Sequence, residues 1–250
     1  MARAAVRGRL NWLTAEVVDL VDETASVRSI VLYCPGWTNH LPGQHVDIRL
    51  TADDGYQAQR SYSIATPEDG ERITVTVERI ADGEVSPYLV DELRPGDRFE
   101  LRGPIGGYFV WEPGLGGPLL LVAGGSGVVP LMAMIRSRVG SGSDVPVRLL
   151  LSSRRWDEVI YRNELKSLAD VAGVAVTHTL TRSQPPDWDG YARRVDMEML
   201  SEVAWQPAER ALCFVCGPTG LVESVATALV GLGHEPGTVK TERFGPTGGA

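Results

Sequence analysis

Six consecutive residues, Arg60-Ser61-Tyr62-Ser63-Ile64-Ala65, put a guanidinium, a phenol and two hydroxyls on one stretch between two strand-like runs. Two readings stand: the polar face of a half-buried strand, or a grip on a ligand. In the second, Arg60 suits an anion through charge-assisted hydrogen bonds. Tyr62 suits stacking on a planar ring, and Ser63 a hydrogen bond to it. A companion stretch, Gly83-Glu84-Val85-Ser86-Pro87-Tyr88-Leu89, is a turn running into a short helix whose free N–H groups suit a pyrophosphate.

Three further stretches each follow a strand-like run. Gly124-Gly125-Ser126-Gly127-Val128-Val129-Pro130 precedes a helix. Its glycines allow close backbone approach to a ligand and leave helix N–H groups for phosphate. The spacing is not G-x-G-x-x-G, and a tight strand-to-helix turn with Pro130 in the first helical turn is the competing reading. Ser152-Ser153-Arg154-Arg155 pairs hydroxyls with guanidinium forks, which suits a phosphate monoester such as the 2′-phosphate of NADP. The competing reading is a solvated loop. Cys216-Gly217-Pro218-Thr219-Gly220 places a thiol at a strand end, either at a crevice mouth or as a small buried hydrophobe.

Metal and thiol redox chemistry are disfavoured. The CxxC spacing of Cys213 and Cys216 lies within a strand, where the two thiols do not face each other, and the four histidines have no ligand spacing. Three cysteines, an odd number, argue against a disulfide scaffold and are too few for a four-thiolate iron–sulfur cluster.

These stretches need elements to hold them. Residues 12–103 carry six β-branched or alternating segments, punctuated by PGW, LPG, DDG, EDG and RPGD, which predict an antiparallel barrel or sandwich. SPYLVDEL predicts one short helix among them. The Gly- and Pro-rich EPGLGGP, residues 112–118, reads as a linker. Beyond it strands alternate with helices: PLLLVAGG, VVPLMAMIRSR, VRLLLSSR, YRNELKSLADV, VAVTHTL, a mixed polar segment, ALCFVCGP and TGLVESVATALVGLG, with a closing strand in TVKTERF. That order predicts an open parallel sheet covered by helices, with ligands at the carboxyl ends of its strands. The expected division is 1–114, an antiparallel β-barrel unit, and 115–250, an α/β nucleotide-binding unit.

The 250 residues carry 24 Lys and Arg against 32 Asp and Glu, a formal net charge of -8. Scattered basic residues do not suit nucleic acid, which requires clustered cations. No run of about twenty apolar residues and no signal-peptide pattern occurs, so the expected location is the cytoplasm.

Taken in order, RSYS, GEVSPYL, GPIGGYF, GGSGVVP, SSR, YRNEL, CGPTG and TERFG resemble the ferredoxin–NADP⁺ reductase superfamily of flavin oxidoreductases, from about Trp12 to Phe244. The resemblance implies that Arg60 contacts flavin phosphate, Tyr62 packs on the ribityl chain or ring, and Ser63 sits near the reactive flavin nitrogen. It implies that Val77, Glu78 and Arg79 line the flavin and that Gly83, Val85 and Ser86 form the pyrophosphate loop. Many relatives have paired glycines where this chain has Gly83-Glu84, so Glu84 is expected to point outward. Ser126, Gly127 and Pro130 take the nucleotide turn. Arg154, with Ser152, Ser153 or Arg155 and with help from Arg162, takes the ribose phosphate. Cys216 and Gly217 lie beside the nicotinamide, and Glu242 and Phe244 return to the flavin. Whether Phe244 or another residue covers the ring is left open.

The implied cofactors are FAD, with FMN as the lesser alternative, and NADPH, with NADH possible. The implied reaction passes hydride to the flavin, with Ser63, Cys216 and Glu242 acting by placement and polarity. Electrons then leave to a separate ferredoxin, Rieske protein or monooxygenase component. A basic patch at Arg3, Arg7 and Arg9 is a candidate docking surface for such a partner. A non-catalytic regulatory subunit of the same fold is the alternative.

Overall fold

The computed structural model describes residues 10–244. Arg3, Arg7 and Arg9 therefore lie outside the described residues. Six strands make up the first unit: β1 (Leu13–Thr24), β2 (Val27–Tyr33), β3 (His45–Thr51), β4 (Gln57–Ser63), β5 (Arg72–Glu78) and β6 (Arg98–Ile105). Every pairing is antiparallel, in the order β4-β3-β6-β1-β2-β5. The sheet closes on itself after β4, where Ile64 bridges Val75 and the Ala65 N–H donates to the Thr74 carbonyl at 2.7 Å. Closure removes the free edges that an open sheet exposes. Alternation along the strands sends Ile30, Leu32, Val46, Ile48, Ile73, Val75, Val77 and Leu101 into the barrel core.

The second unit is a parallel sheet of β7 (Leu119–Gly124), β8 (Val147–Ser153), β9 (Val174–Leu180), β10 (Leu212–Pro218) and β11 (Val239–Phe244), in the order β11-β10-β7-β8-β9. All six residues of β7 are buried, as a central strand covered on both faces requires. Leu119 and Leu121 face α1 (Val128–Gly140) and α2 (Arg162–Leu168). Leu120 and Val122 face α3 (Met197–Val203) and α4 (Thr219–Gly231). The strand order reverses between β7 and β10, so the crevice of such a sheet opens at their carboxyl ends. No helix among the described residues is long and apolar enough to cross a membrane.

One departure from expectation concerns a short helix. The mixed polar segment contains α3, whose seven residues are too few for a clear apolar period. Its start is marked by Asp196, whose side chain accepts from the Met199 N–H at 2.8 Å. The short helix expected over SPYLVDEL is present: the chain is helical over 86–92, with a π turn at Tyr88–Glu92.

The two units are packed together. The core on the α1 side continues into Val27 and Ala65 of the barrel and into Phe109 and Trp111. Phe109 meets Phe214 edge-on at 5.3 Å, and Trp111 is fully buried with its indole N–H on the Gly116 carbonyl at 2.8 Å. These two aromatics precede the Gly- and Pro-rich linker yet pack into the second unit's core.

Candidate functional site

Two crevices meet where the units meet. The first, of about 470 Å³, is lined by Arg60, Ser61, Tyr62 and Ser63 of β4 and its end, and by Thr76 and Glu78 of β5. Gly83, Val85 and Ser86 form the next part of its wall, and Ser126, Val129 and Phe244 close it from the second unit. The second, of about 330 Å³, runs past Gly124, Gly125, Ser126, Ser153, Arg154 and Pro218. Both are lined by Glu78, Ile80, Ser126 and Phe244, so the cavities adjoin at the ends of β5, β7 and β11.

Period-two alternation decides which side chains arrive. Arg60 and Tyr62 stand on one face of β4, opposite Ile48 and Val46 of β3. Thr76 and Glu78 share one face of β5 and line the first crevice, whereas Val77 is fully buried in the barrel core. Arg79 is likewise elsewhere, its guanidinium paired with Asp91 at 2.6 Å. The three consecutive positions 77–79 thus do not act together, because neighbours on a strand point to opposite sides. Thr76 was absent from the sequence reading, though the alternation in ITVTVE marks it. Ser61, which also lines the first crevice, donates to Asp47 at 2.6 Å.

The loop after β5 is tight. The Ile80 N–H donates to Ser86 Oγ at 3.0 Å, and a β-carbon on Gly83 would lie 2.9 Å from that same oxygen. Glu84 is a correction: it does not point away. Its carboxylate pairs with Arg60 at 2.6 Å and accepts from the Tyr56 hydroxyl at 2.5 Å. Coulomb attraction turns the carboxylate onto the Arg60 guanidinium. Those two hydrogen bonds hold the Glu84 carboxyl below its usual range.

Backbone contact builds the junction of β7 and β10. A β-carbon on Gly127 would sit 2.2 Å from the Cys216 carbonyl oxygen, so only glycine permits that approach. Gly217, at φ +148°, packs its α-carbon region on Gly124. Pro130 is buried in the first turn of α1. Cys216 is fully buried; burial, then the nearby Glu242 carboxylate, pushes its thiol well above the usual range. The thiol is therefore neutral and packed, presenting no open polar atom to either crevice.

The arginines divide. Arg154 lines the second crevice beside Ser153 and makes no ion pair among the described residues. Arg155 is held by Asp157 at 3.0 Å and Glu158 at 3.3 Å. Arg162 rests on the Trp156 carbonyl at 3.4 Å. Ser152, one residue out of phase with Ser153, is not among the lining residues of that crevice.

Buried polar atoms without a partner report where a ligand's groups would fit, since such atoms are rarely left unsatisfied. Among the described residues these include Ser63 Oγ in the first crevice and Ser153 Oγ in the second. Glu242 Oε2 is a third; Glu242 pairs in register with Cys216, and its neighbour Phe244 lines both crevices. Burial raises the Glu242 carboxyl to about 7. The geometry fits a long ligand carrying an anionic middle and a planar end at Tyr62 and Ser63, meeting a second ligand at Ser126 and Phe244.

Comparison with known proteins agrees with this arrangement. An oxidoreductase FAD-binding domain family matches residues 15–110, and an oxidoreductase NAD-binding domain family matches 121–227. Ferredoxin–NADP reductase B of Sorangium cellulosum is 34% identical over 81% of this chain and 84% of its own length. The reductase subunit of glycine betaine monooxygenase from Pseudomonas aeruginosa is 30% identical over 92% of this chain, which spans 63% of that relative's length. Among solved structures, the flavohem-like FAD/NAD-binding domain of nitric oxide dioxygenase from Vibrio cholerae superposes with a TM-score of 0.84 at 25% identity, covering 94% of this chain and 99% of that one.

Proposed function

Given that this chain belongs to the ferredoxin–NADP⁺ reductase superfamily of FAD- and NAD-binding oxidoreductases, we propose that it takes electrons from NADPH through FAD to a separate redox protein. The observation that carries this reading is the meeting of the two crevices at Ser126 and Phe244, with the unpartnered Ser63 Oγ in one and Ser153 Oγ in the other. A flavin supplies the conversion between two-electron and one-electron transfer, which no side chain provides.

The chain's own residues bind and orient. Arg60 and the loop of Gly83, Val85 and Ser86 meet the flavin phosphates, Tyr62 packs on the planar end, and Ser63 hydrogen-bonds the ring edge. Gly127 and Gly217 let the strand-end backbones close in on the nicotinamide nucleotide, and Ser126 and Pro130 shape the start of α1 beside it. Phe244 stands at the junction, where it shields the ring from water until nicotinamide arrives. Cys216 acts by packing, and Glu242 holds a proton near neutral pH at the carboxyl end of β11. The polypeptide divides at 114/115 into its flavin and nucleotide units.

Preference for NADPH over NADH rests on Ser153 and Arg154, a hydroxyl and an unpaired guanidinium on one crevice wall. Arg155 contributes less, since Asp157 and Glu158 already neutralise it. The acceptor is a ferredoxin, a Rieske protein or a monooxygenase component in the cytoplasm, a reading supported by the glycine betaine monooxygenase relative being a reductase subunit. Anaerobic mixing of the purified yellow protein with NADPH and, separately, NADH tests the proposal. Bleaching of the flavin absorbance, faster with NADPH, is expected; a colourless protein, or no bleaching by either nucleotide, refutes it.

A further inference from the structure

We infer that Glu84 is an internal competitor for Arg60, a carboxylate that a phosphorylated flavin must displace and that therefore sets how tightly the flavin is held. The inference rests on the flavin reading above. Both amino groups of Arg60 are engaged: Nη1 donates to the Gln59 carbonyl at 2.7 Å and Nη2 to Glu84 Oε2 at 2.6 Å. Glu84 lines the flavin crevice and also the neighbouring groove on the outer barrel, where Tyr56, Tyr88 and Arg98 stand. A phosphate reaching Arg60 thus meets this carboxylate at the same guanidinium.

The arrangement is one that exchanges. The two side chains are 53% and 47% exposed, and an ion pair so open to water contributes little. A phosphate with several charged oxygens offers Arg60 the stronger, bidentate partner. Glu84 also has somewhere to stay, because the Tyr56 hydroxyl holds its other oxygen at 2.5 Å. Flavin binding then exchanges one partner of Arg60 for another and leaves a negative charge within a few ångströms of the incoming phosphate. Both effects weaken binding relative to a neutral side chain at position 84. The chain is accordingly built to hold its flavin less tightly than the Arg60 site allows.

The test is equilibrium titration of the full chain, freed of flavin, with FAD and with riboflavin, followed by quenching of flavin fluorescence. Glu84→Gln keeps shape and hydrogen bonding while removing the charge. It is expected to tighten FAD binding by about twofold to fivefold, the size of one exposed charge interaction, and to leave riboflavin binding unchanged because riboflavin has no phosphate. In an Arg60→Ala background the same substitution is expected to lose the part of its gain that comes from competition and to keep only the part from repulsion of the phosphate. Glu84→Ala serves as a second variant should the glutamine perturb the loop. Equal or weaker FAD binding by both variants overturns the inference, as does equal tightening of riboflavin. Failure of the unaltered chain to bind either flavin overturns the functional reading beneath it as well, so the two failures are distinguished.

Discussion

The Tyr161 hydroxyl lies 2.5 Å from Thr76 Oγ1, and this hydrogen bond joins the second unit to the wall of the first crevice, the proposed flavin site. Tyr161 is almost fully buried and stands at φ +58°, a left-handed conformation that costs a non-glycine residue energy and persists only where surroundings enforce it. Those surroundings include Arg136, whose guanidinium covers the Tyr161 ring at 4.5 Å. Arg136 also grips Glu164 at 2.8 and 2.5 Å and donates to the Ala65 carbonyl at 2.6 Å, at the end of the Arg60–Ala65 stretch. Two polar bonds thus tie both sides of the flavin crevice to α1 and α2.

Tyr161→Phe keeps the ring and removes the bond to Thr76. Thr76 retains Ser29 at 2.8 Å, so no buried hydroxyl is orphaned. The expected loss is about 1 kcal/mol, the net worth of one hydrogen bond, read from urea denaturation. A larger loss, on the order of 2 kcal/mol, is expected for Arg136→Met, which strands the half-buried Glu164 and frees Ala65.

Gly127→Ala drives a β-carbon to 2.2 Å from the Cys216 carbonyl oxygen. Because the obstacle is backbone, the turn after β7 must move away from the end of β10. A loss on the order of 3 kcal/mol is expected, together with weakened binding of both nicotinamide nucleotides. Calorimetric melting and nucleotide titration check the two effects separately.

Ser63→Ala removes a buried hydroxyl that has no partner among the described residues. In the flavin-free chain it is expected to be neutral or stabilising by about 1 kcal/mol, because an unsatisfied polar group is deleted. In the flavin-loaded protein it is expected to slow reduction with little loss of flavin. Destabilisation of the flavin-free form contradicts the assignment of Ser63 Oγ to a ligand.

Arg154→Ala is expected to raise the KM for NADPH by about tenfold or more, the worth of lost charge-assisted hydrogen bonds, and to leave that for NADH nearly unchanged. Arg155→Ala is expected to do less, because its charge is already paired. Steady-state kinetics with both nucleotides decides; equal effects on the two remove the assignment to the 2′-phosphate.

Glu242 sets a pH dependence whose sign follows from burial. Its folded-state value of about 7 exceeds the ordinary 4.5, so the folded protein binds the proton more tightly than the unfolded chain. Stability is therefore full below about pH 4.5 and falls as pH rises towards 7, by an amount on the order of 3 kcal/mol from this group. Glu242→Gln is expected to flatten that part of the profile and to gain stability at pH 8. Urea midpoints at pH 5 and pH 8 for both proteins measure it.

The elements were legible because their periods are strong. Six alternating segments and a switch to apolar runs followed by helical spacing specify a barrel and a parallel sheet from local chemistry alone. One short helix was not. Met197–Val203 is too short to show a period, whereas the short helix in SPYLVDEL was legible and ends before Leu93-Arg94-Pro95.

Ser63, Ser153, Arg154, Gly127 and Phe244 were recognisable from residue type and from position at strand ends, where the fold class places ligands. The pairing of charges was not. Arg60 with Glu84, Arg155 with Asp157 and Glu158, and Arg136 with Glu164 across to Ala65 depend on distances of a few ångströms between elements separated in the chain. Local pattern specifies which face of a strand a side chain occupies, because backbone geometry repeats every two residues. It does not specify which opposite charge reaches a guanidinium first, because Coulomb attraction and desolvation act through space. The stretch Arg60–Ala65 carries both lessons. Its residue types suited a grip on an anion as well as the polar face of a strand, and only the folded chain brought Glu84 to Arg60.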